Sequence, residues 1–358
     1  MKMIIAAGGT GGHIFPGVAV AREFLSRDPA NEVVFVGTAR GLETTIIPRE
    51  GFPLELVEAG ALKSVSASRR ALSLARLPKG FADELRILRR HRPGVVVGVG
   101  GYASGPILLV AALRRYPTLV IEPNAMPGFT NRVLARFVRA AAVTFEESLA
   151  WFGGRGIVTG NPVRSGFAGL ARKERDGKLH LLVFGGSQGS RALNTAVTSA
   201  LPHLADAIRA GKVSITHQTG PGELATVQAA YADAGVEADV RPFIERMVDE
   251  FERADLLLCR SGATTVAEVA VAGKAAIFVP FPRAADDHQR KNAEAFVRAG
   301  GGRMILERDL TGERVAREIL ELMDDPAEID RMEAASRGLA RADAAERTVD
   351  LALQLARG

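Results

Sequence analysis

The sequence predicts an α/β protein built from two Rossmann-like domains. A chain of 358 residues is longer than one core usually holds. Short apolar runs alternate with amphipathic stretches of helical length, a pattern typical of βα units with a parallel sheet. The pattern begins again at residue 179 with a second strand–glycine–helix turn, so two Rossmann-like halves are the simplest interpretation.

The first half opens with the apolar run "MIIAA", followed by a glycine turn and an amphipathic stretch. In that stretch Ile14, Val18, Ala21 and Leu25 share one helical face. Four later runs recur at intervals suited to βα units: "EVVFVG", "VVVGVG", "PTLVIEP" and "AAVTF". We therefore predict a first domain, a parallel sheet covered by helices, over residues 1–162.

The second half repeats this layout in "LHLLVFGGSQGSRALN", residues 179–194. Further strand-like runs follow: "VSITHQTG", "EADVRPF", "ADLLLCRSG" and "AAIFVPFP". The Gly- and Pro-containing stretch "GNPVRSGF", residues 160–167, marks the expected boundary. The second domain is predicted over residues 163–340.

Composition excludes several classes of protein. Because the chain has a single cysteine, Cys259, we expect neither a disulfide framework nor a cysteine metal cluster. A reducing compartment is consistent with this cysteine content. The start "MKMIIAAGG" has no signal-peptide cleavage site. Residues 93–113 are uncharged and long enough to cross a bilayer, but the central "GGYASGP" is typical of a loop between a strand and a helix. We expect no membrane span there.

The net charge is +5, but aromatic residues are only 6 %, so a stacking surface for single-stranded nucleic acid is not expected. The basic residues concentrate between residues 63 and 92, interleaved with leucines and opposed only by Asp83 and Glu84. This segment is either a solvated helix with its apolar face inward or a surface that lies on anionic lipid. Its basic residues are Lys63, Arg69, Arg70, Arg76, Lys79, Arg86, Arg89, Arg90 and Arg92.

The two glycine turns are candidate anion sites. Neither is a standard nucleotide fingerprint, because G-x-G-x-x-G starting at Gly9 would need a glycine where Ile14 stands, and no P-loop motif occurs. Small residues still let backbone N–H groups approach an anion at a positive helix N-terminus. Each turn is therefore a phosphate site or only a tight turn. If both hold ligands, they could face one cleft.

Three further features suggest chemistry. His13 follows the first glycine turn, where a helix N-terminus favours the neutral imidazole that a general base needs, although a lone histidine is more often structural. Glu268, in the helix start "RSGATTVAEVAVAG", is a solvent-facing carboxylate, a cap or an acceptor for two ribose hydroxyls. The loop "DDHQRKN", residues 286–292, is polar. No D-x-D or H-x-x-x-H pattern occurs, so no metal is expected.

Together and in this order, the motifs resemble the MurG family, the lipid II-forming N-acetylglucosaminyltransferases of bacterial cell-wall synthesis. The resemblance spans nearly the whole chain. It is carried by "GGTGGHIFPG", "GGYASGP", "EPNAMPGFTNR", "GNPVR", "GGSQGSRALN", "HQTG", "CRSGATTVAE" and "PFPRAADDHQRKNA". It implies a GT-B fold, two Rossmann-like domains facing a central cleft, with the last helix, residues 341–358, packing back on the first domain.

The resemblance also implies the reaction. GlcNAc would move from UDP-GlcNAc to the C4 hydroxyl of MurNAc in undecaprenyl-pyrophosphoryl-MurNAc-pentapeptide, lipid I, with inversion and without a metal or other cofactor. The enzyme would act as a peripheral protein at the cytoplasmic face of the inner membrane, with the basic segment on anionic lipid. Other cell-wall synthesis proteins are further candidate partners, and nucleic acid is not.

Site residues follow from the resemblance position by position. His13 would be the base, with Tyr102 and Glu122 on the acceptor side. The second glycine turn would hold the donor pyrophosphate, the first the acceptor diphosphate, Ile244 would read uracil through its backbone, and Glu268 would bind the ribose. The implied donor set is Thr10, Gly11, Gly12, Asn124, Arg164, Ser187, Ile244, Ala263, Thr264, Thr265, Val266, Ala267, Glu268 and Gln289.

One departure affects the acceptor loop. Many family members have His-Glu-Gln-Asn where this chain has Ile121, Glu122, Pro123 and Asn124, which leaves the detail of that loop open. The alternatives are another GT-B UDP-sugar transferase with a different acceptor, a UDP-GlcNAc epimerase of the same fold, and a nucleotide-sugar binding module without turnover.

Overall fold

The computed structural model describes residues 1–9, 11–39, 41–57, 80–101, 103–170 and 177–358. Its internal contacts divide the chain into two compact units. Unit 1 comprises residues 1–164 and 341–358, and unit 2 comprises residues 165–340. Each unit contains one sheet of parallel strands with helices packed against it, so the predicted α/β class is confirmed.

The sheet of unit 1 has its switch point between its first and fourth strands. Its order is β3-β2-β1-β4-β5-β6-β7. Ala7, the last residue of β1, pairs with Gly100, the last of β4, so the loops after these strands begin side by side. The strands are β1 (Lys2–Ala7), β2 (Glu32–Gly37), β3 (Leu54–Leu56), β4 (Val95–Gly100), β5 (Thr118–Glu122), β6 (Ala140–Val143) and β7 (Gly156–Val158).

Helices cover both faces of this sheet. The last helix of the chain belongs here, because Val349, Leu351 and Ala352 lie in the core that the first helix shares with β1 and β4. The helices of unit 1 are α1 (Gly11–Arg27), α2 (Glu43–Arg49), α3 (80–91), α4 (Ser104–Leu113), α5 (Phe129–Leu134) and α13 (Ala344–Arg357). No helix in the described part of the chain is long and apolar enough to span a membrane. The uncharged segment 93–113 contains a strand, β4, and a helix, α4, as predicted, but Ser104 and Pro106 of the expected loop already belong to α4.

Only part of the basic segment can be assessed. Lys63, Arg69, Arg70, Arg76 and Lys79 lie outside the described residues. Over residues 80–92 the structure agrees with a helix that turns its apolar face inward, because Ile87 and Leu88 are buried and Leu85 packs against the same core. Arg90 also pairs with Glu55, at 3.1 Å.

The sheet of unit 2 repeats the arrangement. Its order is β10-β9-β8-β11-β12-β13, so the switch point lies between β8 and β11. The strands are β8 (Leu179–Phe184), β9 (Val213–Gln218), β10 (Asp239–Arg241), β11 (Leu256–Cys259), β12 (Ala275–Phe278) and β13 (Gly302–Met304). The helices are α6 (Arg191–Arg209), α7 (Leu224–Asp233), α8 (Met247–Arg253), α9 (Ala263–Ala272), α10 (His288–Arg298), α11 (Gly312–Asp324) and α12 (Pro326–Gly338).

Candidate functional site

The buried carboxylate of Glu43 holds the first glycine turn in place. Gly9 has φ +90°, a conformation that glycine adopts without strain, and its N–H donates to Oε2 of Glu43 at 2.9 Å. The other oxygen of Glu43 accepts from the N–H of Thr38 at 2.9 Å and from its hydroxyl at 2.8 Å. The amide of Gly9 is therefore committed to the protein rather than to a ligand.

Sequence reasoning missed Glu43. Burial raises the pKa of this carboxyl, but the hydrogen bonds from the backbone of Gly9 and from Thr38 outweigh it, so the pKa lies below its ordinary value. The residue is on α2, far along the chain from the turn that it holds, and "RGLETT" contains no motif that marks it.

His13 lies where the loops after β1 and β4 meet. It is half-buried in the first turn of α1, and a Cβ built on Gly100 would lie 2.7 Å from its Cδ2 and 2.9 Å from its Nε2. A Cβ on Gly101 would lie 2.2 Å from the carbonyl oxygen of Gly8. Glycines at the end of β4 thus leave room for the imidazole and for the neighbouring turn.

Arg164 lies beside the same turn. Its guanidinium carbon is 4.5 Å from the ring centroid of Phe15, and a Cβ on Gly11 would meet that ring at 3.1 Å. The structure therefore assigns this positive charge to the neighbourhood of the first glycine turn in unit 1. Its predicted contact with the nucleotide stays a prediction.

The carboxylate of Glu122 pins the loop that follows β5. Its Oε1 accepts from the backbone and side-chain N–H groups of Asn124, at 2.9 and 3.1 Å. Its Oε2 accepts from the N–H of Gly128 at 3.0 Å and from Asn131 Nδ2 at 2.8 Å. Burial raises the pKa of Glu122. The other predicted acceptor-side residue, Tyr102, lies outside the described residues, as does Thr10 of the predicted donor set.

The second glycine turn connects β8 with α6. Ser187 is exposed within it, and Ser190 is the N-cap, with its Oγ 3.5 Å from the N–H of Leu193. A Cβ on Gly189 would lie 1.9 Å from the carbonyl oxygen of Thr219, so this turn is packed directly on the loop after β9.

Arg260 ties the turn to the neighbouring strand ends. Its guanidinium donates twice to Ser190 Oγ, at 2.8 and 3.1 Å, and once to Glu307 Oε2, at 2.5 Å. It also donates to the carbonyl oxygens of Val279 and Pro280, each at 3.1 Å. The sequence shows this arginine in "CRSGATTVAE", but only the fold shows that it holds the N-cap of α6.

Gln218, at the end of β9, bonds to two loops. Its Nε2 donates to the carbonyl oxygen of Gly186 at 2.9 Å, and its Oε1 accepts from the N–H of Ile244 at 2.8 Å. Ile244, the predicted uracil reader, is itself buried.

The predicted ribose and sugar positions lie around the start of α9. Gly262 is the N-cap in an extended conformation, and Ala263, Thr264, Thr265, Val266 and Ala267 form the first turns, of which only Val266 is buried. Glu268 is also buried, with 5 % exposure, rather than solvent-facing. Burial, with the charge of Glu268, raises the pKa of the Cys259 thiol. The carbonyl of Gln289 accepts from Ser261 Oγ at 2.8 Å, which joins the start of α10 to this site.

Two models of known protein families match the chain, one in each half. The glycosyltransferase family 28 N-terminal domain matches residues 3–143, and the family 28 C-terminal domain matches residues 180–348. The chain belongs to glycosyltransferase family 28. The two matched stretches include the first and second glycine turns respectively.

Relatives that share one transferase name match nearly the whole chain. A "UDP-N-acetylglucosamine--N-acetylmuramyl-(pentapeptide) pyrophosphoryl-undecaprenol N-acetylglucosamine transferase" of Anaeromyxobacter dehalogenans is 49 % identical and covers 100 % of this chain and 94 % of the relative. The transferase of that name from Geobacter sulfurreducens is 47 % identical, covering 98 % of this chain and 97 % of the relative. The resemblance to the MurG family is thereby confirmed.

Solved structures agree. The crystal structure of MurG from Acinetobacter baumannii has a TM-score of 0.80 and 32 % identity and covers 99 % of both chains. A UDP-GlcNAc 2-epimerase from Neisseria meningitidis, bound to UDP-GlcNAc, has a TM-score of 0.69 at 14 % identity, with 99 % and 100 % coverage. The second likeness shows the shared fold alone. Among the described residues of this family 28 chain, no group of three or more His, Cys, Asp or Glu could hold a metal ion.

Proposed function

We propose that this family 28 enzyme transfers GlcNAc from UDP-GlcNAc to the C4 hydroxyl of MurNAc in undecaprenyl-pyrophosphoryl-MurNAc-pentapeptide, with inversion. The observation that carries the proposal is the 49 % identity, over 100 % of the chain, to a transferase named for this chemistry. The carboxyl ends of strands at a switch point are where α/β folds bind ligands, and each unit has a glycine turn there.

Unit 2 has the groups that a nucleotide sugar needs. The exposed turn with Ser187 and the helix start at Ala263 offer backbone N–H groups at positive helix ends, which suit a pyrophosphate. The carboxylate of Glu268 has two oxygens that can accept both ribose hydroxyls. Gln289 lies beside this helix start and is proposed to contact the sugar.

Unit 1 supplies the base. In an inverting displacement the acceptor oxygen forms a bond to the anomeric carbon while the bond to UDP breaks, and the hydroxyl proton must pass to a base. We assign that proton to the imidazole of His13, at the start of α1. Glu122 is the weaker candidate, because both of its oxygens already accept two hydrogen bonds each.

A lipid acceptor requires contact with a membrane surface, at the cytoplasmic face where UDP-GlcNAc is available. The α5 surface, defined by exposed Phe129, Val133, Phe137 and Trp151, supports this part of the proposal. Arg132 lies 5.4 Å from the Trp151 ring centroid. Aromatic and aliphatic side chains flanked by arginines favour an anionic interface, so we propose peripheral binding through this surface.

The experiment is a transfer assay with purified protein, UDP-GlcNAc and a short-chain lipid I analogue. The expected products are UDP and the disaccharide lipid, identified by mass spectrometry, without added metal. Epimerised or free sugar formed without the acceptor would instead indicate an epimerase. UDP binding without turnover would indicate a binding module, and turnover only with other acceptors a different transferase.

A further inference from the structure

The carboxylate of Glu43 is enclosed by glycines from three segments of unit 1. The side chain is fully buried. A Cβ built on Gly8, in the turn after β1, would lie 2.7 Å from its Oε1, and a Cβ on Gly41, before α2, would overlap its Oε2. A Cβ on Gly37, the last residue of β2, would lie 2.7 Å from its Cγ. Any side chain at these three positions would therefore displace the carboxylate.

Glu43 places a negative charge at the first glycine turn. Its two oxygens accept three hydrogen bonds, one from the N–H of Gly9 and two from the N–H and the hydroxyl of Thr38. Although burial raises the pKa of Glu43, these hydrogen bonds outweigh burial and hold the pKa below its ordinary value, so the side chain is an anion at neutral pH. In α/β folds such a turn commonly binds a phosphate of the ligand. Here one of its amides binds an anion that the protein itself supplies.

Contacts lead from this turn to the imidazole of His13. The carbonyl oxygen of Gly8 packs against Gly101, because a Cβ on Gly101 would overlap it. The preceding residue, Gly100, packs against the ring, since its Cβ would lie 2.7 Å from Cδ2 and 2.9 Å from Nε2 of His13. His13 is also the third residue of α1, the helix that follows the turn. The segment that Glu43 holds thus borders both the helix that carries His13 and the strand end against which its ring packs.

We propose that Glu43 is a positioning residue for His13. Its carboxylate is buried and hydrogen-bonded to the protein, so its effect on the reaction passes through the imidazole, which it holds in place by way of the first glycine turn and the end of β4. The inference rests on the proposed function, in which His13 receives the proton of the acceptor hydroxyl. A shift of the ring by about 1 Å is enough to lower the rate about 100-fold.

A double-mutant cycle tests whether Glu43 acts through His13. Glu43→Gln keeps the size of the side chain but turns an NH₂ group toward an N–H donor, whichever way the amide lies. We expect it to lower kcat at saturating substrates about tenfold and to leave UDP affinity within about twofold, since the groups proposed to bind the pyrophosphate, the ribose and the base lie in unit 2. In a His13→Ala background no imidazole remains to be positioned, so the same substitution should change kcat by less than about twofold.

Chemical rescue gives an independent measurement. Glu43→Ala removes the carboxylate and leaves space for a small anion among the glycines. Added formate should accept the hydrogen bonds of Gly9 and Thr38 in its place and raise kcat at least about threefold, whereas chloride at the same ionic strength should not. If this variant does not fold, the cycle with Glu43→Gln still decides.

Glu318→Ala is the matched control. Glu318 is also buried, with 5 % exposure, and accepts from Arg303 at 2.6 Å, but it lies on α11 in unit 2. We expect a lower melting temperature, an unchanged kcat at a temperature where the variant is folded, and no response to formate.

The outcomes separate this inference from the proposed function. Equal losses of kcat from Glu43→Gln with and without His13 would overturn the inference, because the effect would not pass through the imidazole. A folded Glu43→Gln variant with unaltered kcat would also overturn it, as would a folded Glu43→Ala variant that responds equally to formate and chloride. An unaltered kcat in His13→Ala alone would instead contradict the base assigned in the proposed function.

Discussion

The imidazole of His13 packs against Gly100, so that a Cβ built on Gly100 would lie 2.7 Å from Cδ2 of His13. His13 begins the helix after β1, and Gly100 ends β4. The candidate base is therefore held by two adjacent strand ends of the sheet of unit 1. Experiments can therefore test both the side chain at position 13 and the position of its ring.

Replacing His13 by Ala should reduce kcat by about 10²–10⁴, the usual cost of losing a general base. The affinity for UDP-GlcNAc should stay near that of the unmodified protein, because the groups proposed to bind the pyrophosphate, the ribose and the base of the donor lie in unit 2. Steady-state kinetics with a soluble lipid I analogue and calorimetry with UDP measure the two effects. The acidic limb of the pH–rate profile should also disappear.

Glu122→Gln is the control for this assignment. In this variant the side-chain NH₂ group would face an N–H group that now donates to a carboxylate oxygen of Glu122. Two donors would then oppose each other, so the melting temperature should fall. The rate at a permissive temperature should fall much less than in His13→Ala. A collapse of kcat in Glu122→Gln with a nearly active His13→Ala variant would transfer the role of base to Glu122.

Gly100→Ala should displace the imidazole. It combines the contact with His13 and the strain of a side chain at φ +124°. Gly51→Ala is the matched control, because Gly51 has φ +84° and no atom within 4 Å of its Cβ position. We expect both variants to lose stability, and only Gly100→Ala to lose kcat steeply in assays at a temperature where both are folded. Equal kcat values in the two variants would contradict the placement of His13.

Glu268→Ala should weaken UDP-GlcNAc binding by roughly 1.5–3 kcal/mol, because the ribose hydroxyls lose a charged acceptor. Since the Ile244 backbone is unchanged, the preference for UDP over CDP should persist. Calorimetry with both nucleotides tests this. Unaltered UDP affinity would show that the start of α9 does not bind the ribose.

Glu43→Gln should destabilise unit 1 in a pH-dependent way. Because the folded pKa of Glu43 is lowered, its stabilising contribution is complete above the ordinary value of 4.5 and is lost as the pH falls through the folded pKa. The free-energy gap between the two proteins should be about 1.5–3 kcal/mol at pH 7 and shrink in acid. Urea denaturation across this range measures it. A gap that widens on acidification would be inconsistent with an ionised anchor.

Arg136 and Arg139 are exposed and follow α5 in the sequence, next to Phe137 of the α5 surface. Replacing these two residues and Arg132 with Gln should weaken binding to vesicles that contain anionic lipid. Each arginine near such a surface contributes about 1 kcal/mol, and the loss should be larger at low salt. Vesicle co-sedimentation measures it, while turnover of a water-soluble acceptor should be largely kept.

The charge-matched control for the vesicle experiment lies in unit 2. Replacing the exposed arginines Arg246, Arg308 and Arg331 with Gln changes the net charge by the same amount. Equal weakening by both triple variants would show that net charge, and not the α5 surface, governs membrane binding.

Sequence reasoning predicted what local patterns determine. Strand-length apolar runs and glycine turns specify βα units, and the fold class they predicted is confirmed. The start of α9 after Gly262 was also within reach, since glycine is one of the residues that are accepted at the N-cap. The roles of the individual site residues stay predictions.

The residues that shape the loops were not predictable in the same way. Glu43 bonds to Gly9, which is 34 residues away, and Arg260 bonds to Glu307, which is 47 residues away. Each is an ordinary charged residue in its local sequence, and its partner becomes visible only when strand ends are brought together. The four hydrogen-bond donors of the buried Glu122 likewise come together only through the path of the loop after β5.

Helix α13 has a consequence for how the molecule is made. Val349 and Ala352 complete the core of unit 1, so that core lacks part of its packing until the end of the chain has been synthesised. All of residues 165–340 leave the ribosome earlier. Domains usually fold in the order of synthesis, but here the unit that begins first can complete its core only after the second unit has been synthesised.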